Sequence, residues 1–337
     1  MDHARAVLAA RQAVRSVFST LDPGTRVLVA CSGGSDSLAL ALAAAAEAEK
    51  AAIIPRAVTI DHGILPGSAD QADAVRDQLS PIMPTTIVRI GTGGGQGPEG
   101  NARAGRYEAI AAEARSLGGP ALVLLGHTMD DQAETVLLGL GRGSGPRSIA
   151  GMRRMGYLPG TDDVPAARPF LHLRRETLRD ACRGWRARWW DDPTNRADGP
   201  WRTADGMPLR RAAVRDNALP SLSSALAMDV REPLARTAEL LQEDLDCLDE
   251  IAELALADCG ARSVLPLTVL RGQHRAIRTR MIRLWLLRHG ARAGELTRWH
   301  VTSVESLIGG ETGKGIDVPG LRVERSRDAL VPTGGVA

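Results

Sequence analysis

The chain has 337 residues, 44% hydrophobic and 24% charged, and 42 Lys and Arg against 40 Asp and Glu give a net charge of +2. That length predicts about two domains with ample residues to bury a core, and the composition is that of a soluble globular protein. No apolar run approaches the roughly 20 residues of a membrane span, and MDHARAVLAARQAVRSVF lacks the layout of a signal peptide, so a cytoplasmic location is expected. Cys31, Cys182, Cys247 and Cys259 show no Cys-x-x-Cys spacing, which argues against a disulfide framework or a zinc ribbon.

In chain order, Arg26–Cys31, Ala57–Asp61, Thr85–Ile90 and Ala121–Gly126 are short, apolar and partly β-branched, as strands are. Alanine-rich helical runs lie between them at Leu38–Lys50, Ser68–Leu79 and Asn101–Leu117. This alternation predicts βαβ units and an α/β fold, a Rossmann-like doubly wound parallel sheet. Ligands in such sheets sit at the carboxyl ends of the strands. Gly91–Gly100 reads as a flexible loop at the third of those ends. Between Gly141 and about Pro220 the chain is punctuated by glycine and proline and holds four of the six tryptophans. From about Pro220 it turns helical, at Leu234–Leu256 and His274–Arg288, and Gly313–Val331 reads as short strands with turns. A boundary near Leu219 is expected, giving a catalytic domain over 1–218 and a smaller, mostly helical domain over 219–337.

Charge is unevenly placed. Arg142–Arg215 holds 16 arginines against 8 acids, Arg271–His300 holds 8 arginines and one acid, and Asp61–Leu140 holds 10 acids and 5 arginines. An acidic stretch beside two basic ones fits a small-molecule site next to a polyanion-binding surface. Lys50 and Lys314 are the sole lysines, so a general preference for arginine also inflates each cluster.

The sharpest motif is Ser32-Gly33-Gly34-Ser35-Asp36-Ser37, between a strand and a helix. Two glycines allow a tight turn whose N–H groups reach an anion, and the helix adds its positive end. The serines supply hydroxyl donors and Asp36 an oxygen for Mg²⁺. A Walker A loop would end in Gly-Lys-Ser/Thr, and no lysine is present. Asp61 and His62 close the second strand, where an adenine or ribose would lie or where an Asp simply caps a turn. Arg103 and Arg106 share a helix face and meet either solvent or an oxyanion. Past the fourth strand comes His127-Thr128-Met129-Asp130-Asp131-Gln132-Ala133-Glu134. Asp131 and Glu134, one turn apart, repel unless a cation lies between them, whether Mg²⁺ or a lysine ammonium. Acids at a helix N-terminus also suit its dipole.

Ser32–Ser37 resembles the pyrophosphate-binding loop of the N-type ATP pyrophosphatases, the PP-loop superfamily, which cleave ATP to AMP and pyrophosphate. Ile60–Gly63, Asn101–Tyr107 and Gly126–Thr135, running into Arg142–Gly145, resemble the tRNA(Ile)-lysidine synthases in particular. The likeness continues through Arg168–Leu171, Trp190–Asn195, Gly313–Gly315 and Leu321–Arg325. It departs at the long stretch between Asn195 and Arg210, and at Arg210-Arg211-Ala212, where an Arg-Asn pair is usual.

The resemblance implies adenylation of the wobble cytidine of a CAU-anticodon tRNA(Ile), followed by displacement of AMP by L-lysine to give lysidine. It implies ATP bound by Ser32, Gly33, Gly34, Ser35, Asp36, Ser37, Asp61 and His62, with Mg²⁺ on Asp36. Lysine is expected at Arg103, Arg106, His127, Asp131 and Glu134, and catalysis at Asp36, Asp130, Asp131 and Glu134. Lysine's amine, with a free pKa of roughly 10.4, must lose a proton, and Asp131 or Glu134 is the expected acceptor. The rivals are a tRNA base thiolase on the same loop and a non-catalytic nucleotide- or tRNA-binding protein. Scattered cysteines speak against the first, and the acids together against the second. The assembly, a homodimer among the options, is not fixed by sequence.

Overall fold

The structure, a computed structural model, describes residues 2–63, 67–91, 98–143, 145–203, 205–260 and 263–334, without the side chains of 98–102 and 195. It divides into two compact units, Met1–Leu240 and Leu241–Ala337.

In the first unit α1 (His3–Phe18) precedes β1 (Arg26–Ala30). Helices and strands then alternate through α2 (Ser35–Ala48), β2 (Ile54–Asp61), α3 (Ser68–Leu79), β3 (Thr85–Arg89), α4 (Pro98–Ser116), β4 (Ala121–Leu124) and α5 (Met129–Arg142). A short α6 (Pro146–Ile149) leads to β5 (Met155–Tyr157), β6 (Pro165–Ala167) and α7 (Arg175–Gly184). The helices α8 (Arg210–Ala213) and α9 (Leu219–Ala225) follow, and α10 (Arg231–Asp258) begins here.

The sheet order is β3-β2-β1-β4-β6-β5. The first five of these strands pair in parallel, and β5 closes the edge antiparallel to β6. Central strands of such a sheet are covered on both faces, which is why RVLVA and ALVL read as nearly unbroken apolar runs. Alternate side chains divide the core. Val27, Val29, Leu122 and Leu124 pack with α1, α2 and α7, whereas Leu28, Val123 and Leu125 pack with α4. Between α1 and α2 lies Glu47, 1% exposed, ion-paired with Arg11 and Arg15, the partners that a buried charge requires. The chain order reverses at β1, with β2 on one side and β4 on the other, and that switch point is where open α/β sheets bind ligands.

Two details differ from the expectation. α2 starts at Ser35 rather than Leu38, so the glycine loop feeds straight into its first turn. α4 starts at Pro98, inside the stretch read as a loop; proline's fixed φ suits a first helical position. Residues 92–97 of that stretch lie outside the described residues. The two compact units divide at Leu240, inside α10. Leu219, Val230 and Leu234 pack with Ala133 and Leu137 of α5, which holds α9 and the start of α10 to the sheet.

The second unit contains β7 (Leu265–Pro266), α11 (Leu267–Gly272), α12 (Arg275–Arg288), α13 (Arg298–Ser306), β8 (Gly315–Val318), β9 (Leu321–Arg325) and β10 (Ala329–Thr333). Its antiparallel sheet runs β7-β10-β9-β8, and its core gathers around Met281, Trp285 and Leu286. Among the described residues no helix is long and apolar enough to cross a membrane.

Candidate active site

Cys31–Gly34 turns the chain from β1 into α2. Gly33 has φ +84°, where a side chain is strained, and a Cβ there would meet Val75 Cγ2 at 2.6 Å and Gln71 Nε2 at 2.8 Å. Ser37 Oγ accepts from the Ser32 N–H at 3.1 Å and donates to the Gly34 carbonyl at 3.1 Å. That hydroxyl shapes the loop as well as lining it. Gly34 begins α2 with no side-chain cap, leaving the positive helix end to an anion. The Trp190 N–H donates to the Gly33 carbonyl at 2.9 Å, so the Trp190–Asn195 motif starts against the loop. Gly126, after β4, lies so close that a Cβ would come within 3.1 Å of the Asp36 carbonyl.

Asp36, Asp131 and Glu134 do converge, through a residue the motif reading missed. Arg175, first in α7, donates from Nε to Asp36 Oδ2 at 3.1 Å and from Nη2 to Asp131 Oδ1 at 2.9 Å and Glu134 Oε1 at 3.5 Å. Asp131 Oδ2 also accepts from the Thr128 N–H and Oγ1, each at 2.8 Å, while the Asp131 N–H donates to Thr128 Oγ1 at 3.2 Å. This is a capping box, so Asp131 starts α5 as well as facing α2.

Two of the expected site acids are engaged by arginines. Glu134 is 0% exposed, and Arg211 Nε at 2.8 Å and Arg215 Nε at 2.7 Å hold it alongside Arg175, so it does not present an open carboxylate to an incoming amine. Asp130 accepts from Arg174, from the Arg175 N–H at 2.8 Å and from Arg231 at 3.2 Å. It ties α5 to α7 and α10.

The electrostatics separate the remaining acids. Burial pushes the Asp36 carboxyl up to about 6 against the opposing pull of Arg175. Burial acts on Asp131 too, but Arg175, Arg211 and the Thr128 N–H outweigh it and hold that carboxyl well below the usual range. Asp131 is therefore a weak proton acceptor. Burial pushes His127 down to about 3, so it stays neutral, and its buried Nδ1 has no partner among the described residues. His127 directly precedes the Thr128 cap of α5.

At the end of β2, Asp61 accepts from the Gly63 N–H at 2.9 Å and stands 3.7 Å from Arg89, so part of its role is to cap its own turn. His62 is half-buried, with its Nδ1 unpartnered among the described residues and Arg106 near enough to lower its pKa further after burial. Arg103 lies over the Tyr107 ring at 5.1 Å. The structure thus gathers Asp36, Asp131 and Glu134 in one group, and Arg103 with His127 in another. His62 lies with Arg106.

Among the described residues no group of three or more His, Cys, Asp or Glu is arranged to hold a metal ion by itself. Asp36 and Asp131 nonetheless share one cation, the Arg175 guanidinium, through carboxylate oxygens. That donor set suits Mg²⁺ held by one or two carboxylates with phosphates completing its shell.

A PP-loop domain is matched over residues 7–220 and a TilS substrate binding domain over residues 265–331. A tRNA(Ile)-lysidine synthase of Thermobifida fusca is 42% identical over 329 residues, 95% of each chain. That of Streptomyces coelicolor is 43% identical over 89% of this chain and 82% of its own, and that of Mycobacterium bovis 40% over 94% and 91%. Among solved structures, the U34-tRNA thiolase NcsA from Methanococcus maripaludis superposes with a TM-score of 0.55 at 17% identity, covering 71% of this chain and 80% of that one; this likeness concerns the fold alone. With the phosphate loop and its acids in place and relatives of this identity along nearly its whole length, the chain belongs to the tRNA(Ile)-lysidine synthase family.

Proposed function

We propose that the protein ligates L-lysine to the wobble cytidine of a CAU-anticodon tRNA(Ile), consuming ATP and releasing AMP and pyrophosphate. The observation that carries this reading is the uncapped glycine loop after β1, joined through Arg175 to the acids after β4, on the two strands flanking the switch point. The cytosine carbonyl oxygen attacks the α-phosphate, and the bond to pyrophosphate breaks. Ser32, Gly33, Gly34, Ser35 and the start of α2 take up the departing charge through N–H and O–H donors. Mg²⁺ held by Asp36 and the phosphates would neutralise part of that charge. Asp61 and His62 lie where the nucleoside end of ATP would reach. Lysine's amine then attacks the activated carbon, and AMP leaves with the former carbonyl oxygen.

The amine must arrive unprotonated. The acids of α5 already carry Arg175, Arg211 and Arg215, and a cationic surround disfavours the ammonium and favours the free amine. Its proton is left to solvent, since Asp131 is too weak a base to keep it. Arg103, Arg106 and His127 are the residues expected to contact the lysine. The second unit, with its arginine-bearing α12 and α13, is the expected tRNA-holding part. The test combines the protein with ATP, labelled lysine and CAU-anticodon tRNA(Ile). AMP, pyrophosphate and labelled tRNA should form together, and none without the tRNA; label in tRNA with a CAC anticodon, or none with CAU, would defeat the reading.

A further inference from the structure

Two stretches far apart in sequence brace the phosphate loop from outside it. One is α3, whose Gln71 and Val75 lie against Gly33 and whose Gln78 follows one turn further along the same face. The other is Arg188–Trp190, after α7, whose Trp190 N–H donates to the Gly33 carbonyl at 2.9 Å. Gln78 joins them: its Nε2 donates to the Arg188 carbonyl at 3.2 Å, and its Oε1 accepts from the Arg188 N–H at 3.0 Å. One amide thus takes both backbone groups of a residue 110 positions away. A single hydrogen bond leaves a segment free to swivel, whereas this pair fixes direction and register, as two strand residues exchanging both bonds do. Arg188 is exposed, so water replaces either bond at little cost and the clamp adds little to stability. What it secures is position.

That position counts two residues on. The Gly33–Gly34 peptide is trans, so its carbonyl and its N–H point in opposite directions. With the carbonyl held by Trp190, the Gly34 N–H is turned away from the Arg188–Trp190 segment. The loop's own bonds act elsewhere. Ser37 fixes the Ser32 N–H and the Gly34 carbonyl, which belong to other peptides. Gly33, at φ +84° and without a Cβ, resists rotation of its own peptide less than any other residue would. We propose that Gln78 is a positioning residue for pyrophosphate release: by fastening Arg188 it keeps Trp190 on Gly33 and the Gly34 N–H aimed at the leaving group.

This inference rests on the loop being the pyrophosphate cradle, and the experiment separates the two. Wild type and Gln78→Met, which keeps the side-chain length and loses both bonds, are compared as full chains with ATP, lysine and CAU-anticodon tRNA(Ile). The single-turnover rate of pyrophosphate release, the inhibition constants of pyrophosphate and of AMP, and the KM for lysine are measured. In Gln78→Met the rate should fall and pyrophosphate inhibition weaken by about fivefold each, with AMP inhibition and the lysine KM changed by less than about twofold. Equal weakening of pyrophosphate and AMP, or an unchanged rate and pyrophosphate constant whatever the melting temperature, would overturn the proposal and leave Gln78 a structural brace. If Gln78→Met is too unstable to assay, Gln78→Glu must show the same split, since it keeps the acceptor for the Arg188 N–H and loses the donor to its carbonyl. A wild-type chain whose turnover pyrophosphate does not inhibit would instead defeat the parent reading of the loop.

Discussion

The phosphate loop after β1 and the acid group at the start of α5 meet at one guanidinium, yet they are built in opposite ways. The loop is local: Gly33, Gly34 and Ser37 set its shape within a few residues, and Asp36 follows in the same turn. The acid group is assembled from a distance. Glu134 and Asp131 take Arg175, Arg211 and Arg215, which come from α7, α8 and the turn after it. A buried carboxylate is expensive without a cation, so these arginines hold the helices together as much as they hold charge. Local motifs therefore announce chemistry, whereas the same residue types in a long-range network serve structure first.

The largest expected effect tests the loop. Asp36→Ala should lower pyrophosphate release by about a thousandfold, ~4 kcal/mol in the barrier, with a melting temperature close to wild type. The fold should tolerate it because a buried carboxylate, pushed up to about 6 by its surroundings, is removed along with its cost. A rate within about tenfold of wild type at saturating magnesium would show that Asp36 is not in the reacting group.

The acid group should respond in stability. Glu134→Gln keeps the shape and leaves three arginines without their shared carboxylate, at a cost of about 3 kcal/mol read from the urea midpoint. An unchanged midpoint would mean that the arginines are held independently, and the contrast between the two regions would collapse. The double variant Asp131→Asn with Glu134→Gln sharpens it further. If these acids served the lysine amine alone, adenylated tRNA would accumulate and added lysine or higher pH would rescue transfer. If they brace α5 against α7 and α8, both half-reactions fall together with stability. Quench-flow measurement of AMP–tRNA and lysyl–tRNA distinguishes the outcomes, and the second is expected.

How far the sequence carried follows the same division. The parallel sheet was legible from period and alternation, and Ser68–Leu79 matches its helix at both ends, because apolar spacing is a local property. The phosphate loop was legible for the same reason. α1 was not anticipated, since half of its buried face is alanine (Ala6, Ala10 and Ala13), which gives little hydrophobic signal. Arg175 was not found, although Arg174-Arg175 stood in plain view: nothing in one dimension says which of 16 arginines in Arg142–Arg215 reaches Asp36. Arg211 was visible only as a departure from an expected Arg-Asn pair. The helpful signal would have been the acids themselves, since buried carboxylates demand cations and the neighbouring basic run was the larger of two supplies.

The basic segments measure how far that lesson extends, with the smallest expected effect. Counting charges, the 8 arginines of Arg271–His300 form a broad phosphate-binding face. In the structure most of them are engaged inside the second unit. Arg275 and Arg278 pair with Glu305, Arg280 with Asp249 and Arg292 with Glu295, while Arg271 and Arg283 donate to backbone carbonyls. Among the described residues Arg288 and Arg298 remain, both exposed and without such a partner. Each cation that meets a phosphate releases a counterion, so the slope of log affinity against log salt counts the contacts. Replacing Arg288 and Arg298 together by Gln should reduce that slope for tRNA(Ile) by about 1.5 to 2. Replacing Arg275 and Arg278 should change it by less than about 0.5, because their charge is already matched by Glu305. A slope that falls equally in both pairs would show that the ion pairs open on binding tRNA, and that the count along the sequence was the better guide.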